Sequence, residues 1–155
     1  MYRVAILLLM LVLCCCSYTS AVMEKDESTS IKLFEQIKAK TDYSIYIVPE
    51  RYRQSRKWEV HINEDQELLE LYYVDLDKNK LSLLLLECEV DSCPSTIKKN
   101  REYDEEIKLT DGHVAYYAKD NTLSLSKNGT YVLLGSKEMS KQELIQIASI
   151  LKKLD

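Results

Sequence analysis

The chain has 155 residues, of which 46% are hydrophobic and 30% charged, and its formal net charge is −4. That is enough length for one domain with its own core, and too apolar a composition for a disordered chain. The acidic balance, −5 once Arg3 leaves with a leader, argues against a nucleic-acid partner, because backbone phosphates would be repelled. The two short basic runs, Lys98 to Arg101 and Arg51 to Lys57, are flanked by acids and read as solvated loops.

Arg3 is followed by an uncharged apolar run from Val4 to Leu13, the pattern of an export signal. A membrane-spanning helix needs roughly 17 to 25 apolar residues, and Ser17-Tyr-Thr-Ser20 makes the far half of the stretch too polar for a good one. Two processing routes are open. Thr19-Ser-Ala21 offers small residues for cleavage before Val22. Leu13-Cys14-Cys15-Cys16 resembles a loose bacterial lipobox in which Cys16 bears the lipid, with Cys15 standing where a glycine, alanine or serine is usual. An uncleaved anchor is the third alternative. In all three the positive end stays inside and the domain lies outside, so the membrane is the expected partner of the N-terminal segment. Residues 1–21 are read as signal peptide or lipoprotein signal, 22–30 as a polar linker and 31–155 as the folded domain.

Ile31, Leu33, Phe34 and Ile37 recur at helical spacing through Lys40, behind a serine cap. Strands follow: Tyr43 to Val48, stopped by Pro49; Trp58 to Ile62; Leu68 to Val74; and Leu81 to Cys88 beyond the turn Asp75 to Lys80. Glu105 to Leu109 and Gly112 to Ala118 continue the series, and Leu123 to Ser126 pairs with Thr130 to Leu134 across Asn128-Gly129, a turn in which both residues tolerate positive φ. The connections are too short for crossover helices, so the strands are antiparallel. Ser140-Lys-Gln-Glu143 fits a capping box, and Leu144, Ile147, Ala148, Leu151 and Leu154 share one helical face. The expected fold is α+β: an antiparallel sheet of about six to eight strands with a short N-terminal helix and a C-terminal amphipathic helix packed on it.

Without the leader only Cys88 and Cys93 remain, and an outside compartment permits a disulfide between them as a loop clasp. No metal is expected, since His61 and His113 sit in separate strands without ligand spacing. Asp75, Asp77 and Asn79 imitate the first half of a calcium loop, but Lys80 takes the glycine position and Leu86 the bidentate glutamate position, which leaves a polar hairpin turn. Neither histidine comes with a nucleophile motif, and Asp104-Glu-Glu106 would splay to alternate faces of a strand. With three glycines in the chain there is no phosphate-cradling loop. No catalytic residue and no cofactor is expected. Eleven tyrosines against one phenylalanine, many of them in strands, suit either a half-exposed binding face or cross-strand packing at sheet margins. Asn128-Gly-Thr130 also matches a glycosylation acceptor, although its hairpin role already accounts for it.

The runs KTDYSIYIVPE, ELLELYYVDLDKNKLSLLLLE and LTDGHVAYYAKDNTLSLSKNGTYVLLGSKEMSKQELIQIASILKKL together resemble the DUF4367 family, an extracytoplasmic domain of Bacillus-type bacteria that occurs on lipoproteins and behind a transmembrane helix in anti-sigma-factor-like proteins. The resemblance spans residues 30–155. It departs at Leu123 to Ser126, where members often carry a tryptophan. It implies architecture and compartment and carries over no catalytic residue. The expected function is a membrane-tethered, extracytoplasmic interaction or sensing module without catalytic activity. The alternative is a carrier for a small apolar ligand held between sheet and C-terminal helix.

Overall fold

The computed structural model describes residues 18–23, 35–39, 41–53, 56–63, 67–98 and 103–154. Its centre is an antiparallel sheet of β3 (Arg56–Asn63), β4 (Leu68–Asp75), β5 (Lys80–Glu89), β6 (Glu105–Lys108), β7 (Val114–Ala118), β8 (Thr122–Lys127) and β9 (Thr130–Gly135). Their spatial order is β3-β4-β5-β9-β8-β7-β6, and β1 (Tyr18–Met23) adds an eighth strand beside β3. The sheet is thus two meanders, β3 to β5 and β6 to β9, joined only where β5 pairs with β9 from Leu84↔Gly135 to Glu89↔Thr130. Every pairing among the described strands is antiparallel, which the short hairpin connections within each meander require.

Strand alternation decides which side chains face the main core. Val60 and Ile62 on β3, Leu69, Leu71 and Tyr73 on β4, Leu83 and Leu85 on β5, Leu123 and Leu125 on β8, and Val132 and Leu134 on β9 all lie in one buried cluster. The helix α3 (Lys141–Ile150) covers this face through Leu144, Ile147 and Ala148. A smaller cluster on the opposite face gathers Leu68, Cys88, Tyr131 and Leu133 under the loop carrying Cys93 and Ile97, where the short helix α2 (Ser95–Lys98) begins just after Pro94.

Local signals place the turns. Asn128 and Gly129 have φ of 48° and 81°, a backbone that glycine and asparagine adopt at least cost. Asp75 Oδ1 accepts from the backbone N–H groups of Asp77 and Lys78 at 3.0 and 3.1 Å, so the calcium-like triplet is the side-chain-closed turn of a hairpin. Between Tyr73 and Val74 the β4–β5 register shifts, and Ser82 is the extra residue. Its hydroxyl donates to Tyr73 O at 2.8 Å and accepts from Arg56 Nε at 3.0 Å, which satisfies the polar atoms that the bulge takes out of the ladder.

The capping box forms as expected: Glu143 N donates to Ser140 Oγ at 3.3 Å and Ser140 N donates to Glu143 Oε2 at 2.7 Å. These bonds hold the Glu143 carboxyl below its ordinary range. Ser140→Ala is expected to cost about 1 kcal/mol of stability, read as a lower urea midpoint at unchanged slope; a loss below about 0.3 kcal/mol would show that the cap contributes little.

Two elements end differently from the sequence reading. The C-terminal helix stops at Ile150, where Leu151 takes φ −51° and ψ 130°, and residues 152–153 form β10 (Lys152–Lys153). The strand expected from Tyr43 to Val48 is not a member of the large sheet. Only β2 (Tyr46–Ile47) is extended enough to pair, and it pairs with β10. Pro49 ends it and the short helix α1 (Glu50–Arg53) follows. Of the expected N-terminal helix, residues 35–39 are described as a helical turn with Ile37 buried; the remainder, like Cys16 and the linker residues 24–30, lies outside the described residues. β1 crosses the boundary drawn at residue 21 between leader and linker.

Candidate functional site

Among the described residues, Glu87 is the one acid or base whose side chain is buried outright. Alternation along β5 sends it to the core face with Leu83 and Leu85, and its register partners are Leu69 on β4 and Val132 on β9. It is fully buried, at 0% exposure. Over it runs the segment 41–48, a strap laid across the core face. The backbone N–H of Tyr46 donates to both Glu87 Oε1 and Oε2, each at 3.0 Å. Burial pushes the Glu87 carboxyl well above its ordinary range, and the bond from Tyr46 only partly offsets that.

The strap is tied at several other points. Tyr43 Oη donates to Glu87 O at 3.1 Å, Thr130 Oγ1 donates to Ser44 O at 2.5 Å, Asn128 Nδ2 donates to Tyr46 Oη at 2.8 Å, and Leu154 N donates to Ile45 O at 2.8 Å. Tyr46 of the strap and Tyr73 of β4 are both buried. Burial lifts the phenols of Tyr43 and Tyr73 well above their ordinary range, so both stay neutral. A cleft of about 310 Å³ opens beside the strap, lined among others by Lys38, Asp42, Ser44, Ile45, Lys153 and Leu154. No residue of α3 or of the large sheet contributes to it.

The histidines are not brought together. His61 on β3 sits 3.9 Å from Glu59 and meets the Tyr72 ring edge-on. His113, just before β7, has Nδ1 3.2 Å from Asp111 Oδ1, and four strands separate β3 from β7 in the sheet. Asp111 also holds Lys127 Nζ at 2.7 Å. Partial burial would raise the Asp111 carboxyl, but hydrogen bonds from Lys127 and His113 outweigh it and keep it below the usual carboxylate range. Among the described residues no group of three His, Cys, Asp or Glu side chains could hold a metal ion, and no helix is long and apolar enough to cross a membrane.

Cys88 and Cys93 lie at disulfide distance, with Cα atoms 5.2 Å apart, and both side chains are buried in the smaller cluster. The tyrosines divide between the two roles considered: Tyr46, Tyr73 and Tyr131 are buried, whereas Tyr103 and Tyr116 are each 39% exposed and pack ring to ring at 5.2 Å. Asn128, the glycosylation-like position, spends its amide on Tyr46. Two residues that sequence reasoning passed over do positioning work. Asn121, at φ 59°, accepts from Tyr117 Oη at 2.9 Å and donates to the carbonyls of Ser136 and Met139 at 2.6 and 2.7 Å, which fixes the approach to α3. Glu87 is the other; an acid directly after the four-leucine run Leu83 to Leu86 is the signal the sequence offers for it.

No family model matches the chain, and neither a curated protein nor a solved structure matches it.

Proposed function

We propose that this chain is a non-catalytic extracytoplasmic interaction or sensing module, held at a membrane by lipid on Cys16. The observation that carries the reading is β1. Its six residues pair one for one with β3, from Tyr18↔Asn63 to Met23↔Trp58. Cleavage before Val22 would strip Tyr18 to Ala21 from the sheet and leave the β3 edge open, an outcome that folded proteins avoid. Processing at Cys16 keeps the whole strand and joins the lipid to it through Ser17 alone. The cysteine pair at disulfide distance suits an oxidising compartment. The non-catalytic reading is supported by the separated histidines and by a buried carboxyl, Glu87, that is not among the residues lining the cleft along the strap.

Mass spectrometry of the mature N-terminus from membrane fractions tests the proposal. The expected result is a diacylglyceryl group on Cys16. A mature chain starting at Val22 overturns the tether, and an intact chain in the cytosol with Cys88 and Cys93 reduced overturns the compartment as well.

A further inference from the structure

We propose that Glu87 is a proton-operated clasp: holding a proton, it fastens the strap 41–48 across the core face, and on ionising it loosens the strap. The geometry is that of a one-sided seal. The carboxyl lies between Leu69 and Val132, fully buried, and both of its oxygens share one donor, Tyr46 N–H. The Tyr46 N–H favours a charge on the carboxyl, but it is one donor shared by two oxygens, and burial between apolar neighbours outweighs it, so ionisation draws the group toward solvent and strains the strap that covers it.

The surrounding groups leave Glu87 alone to respond. The strap presents Tyr43 and Tyr46; β4 presents Tyr73, whose hydroxyl accepts from Val48 N–H at 3.5 Å. Arg53 of α1 acts on the Tyr73 side and Glu67 on the Tyr43 side. Lys127 of β8 lies over the Tyr46 ring at 5.5 Å from its centroid, with its ammonium committed to Asp111. The neighbours on β9 and α3 that share the core, Val132, Leu134, Leu144 and Ile147, do not titrate. The two buried phenols stay neutral through the range in which a carboxyl changes state.

The sign of the response follows. In the unfolded chain a glutamate titrates near about 4.3. The raised value in the fold means that, above that pH, the folded state binds the proton that the unfolded state has released. The clasp is therefore complete below the unfolded value and is lost as pH rises through the folded one. What loosens is the strap and, through Leu154 N–H on Ile45 O and the β2–β10 pair, the C-terminal strand with it. The cleft built from the strap changes shape in the same step, which gives a sensing module an input that depends on local acidity.

Hydrogen exchange of the Tyr46 and Leu154 amides in the full chain, corrected for intrinsic rates, reads the clasp directly. Between pH 4.5 and 8 their protection is expected to fall by about tenfold or more, while central amides of β4 change less. In Glu87→Gln, which keeps the shape and one acceptor for Tyr46 N–H, the pH dependence should vanish; in Tyr43→Phe, which removes the hydroxyl's bonds to the carbonyls of Glu87 and Glu67 but leaves the carboxyl and Tyr46 N–H in place, it should persist. The titration midpoint of the Glu87 carboxyl carbon in the unmutated protein is an independent readout that needs no variant to fold. Protection that does not vary with pH, a slope retained in Glu87→Gln, or a carboxyl midpoint at or below about 4.3 would each overturn the proposal.

Discussion

Leu144→Ala is expected to lower unfolding free energy by about 2–5 kcal/mol. Leu144 is at 0% exposure and sits with Ile147 and Ala148 against the sheet's inner face. Truncation removes transfer energy and leaves a hole that a helix pinned at Ser140 and Leu151 cannot close by shifting. The measurement is chemical denaturation of both proteins under one buffer. The size of the loss also decides between closed packing and the apolar carrier. A chamber for a ligand under α3 would leave Leu144 lining empty space, and the substitution would then cost less than about 1 kcal/mol and leave affinity for apolar dyes unchanged. A loss in the upper range rules that chamber out.

The second large effect concerns the cysteine loop. Reducing the Cys88–Cys93 pair, or replacing both residues by alanine, is expected to cost about 2 kcal/mol by loop-closure entropy. A further loss is expected where Cys93 stops holding Ile97 against Leu133 and Tyr131 in the smaller cluster. Adding a strong reductant should therefore move the denaturation midpoint down, and thiol alkylation of the native, non-reduced protein should label neither cysteine. Equal midpoints with and without reductant would mean that the pair is not bonded in solution. The sulfurs would then be two buried thiols that merely touch, and the inference about compartment would lose that support.

Much of the architecture is legible in the residues because its signals are local. Alternation at Trp58 to Ile62 and Leu68 to Val74, the Asn128-Gly129 turn and the Ser140/Glu143 box each depend on neighbours a few positions away, and each forms where expected. The strap is not legible in the sequence for the converse reason. Tyr43 to Val48 has the β-branched and aromatic composition of a strand, but its backbone donors are claimed by Glu87 and the C-terminal pair rather than by a sheet neighbour, a choice made by residues far along the chain. The helix end was misplaced because Leu151 and Leu154 continue the apolar spacing past Ile150, and spacing alone cannot tell a helix turn from a β pair that buries the same side chains. Composition could not reveal β1 either, since Tyr18 to Met23 reads equally well as the tail of a leader. Glu87 was visible as a letter; only the register made it inward-facing.

The seam between the two meanders has a consequence for how the chain is made. Strand β5 carries Leu83, Leu84, Leu85 and Leu86 in a row, and its second neighbour, β9, is separated from it by residues 90–129. During synthesis the first hairpins can zip as they emerge, yet this greasy margin waits, bare, until nearly the last segment arrives to cover it. A delay in that arrival turns the waiting margin into a template for another copy, so a helper that binds extended leucine-rich segments would matter more to this chain than its modest size suggests.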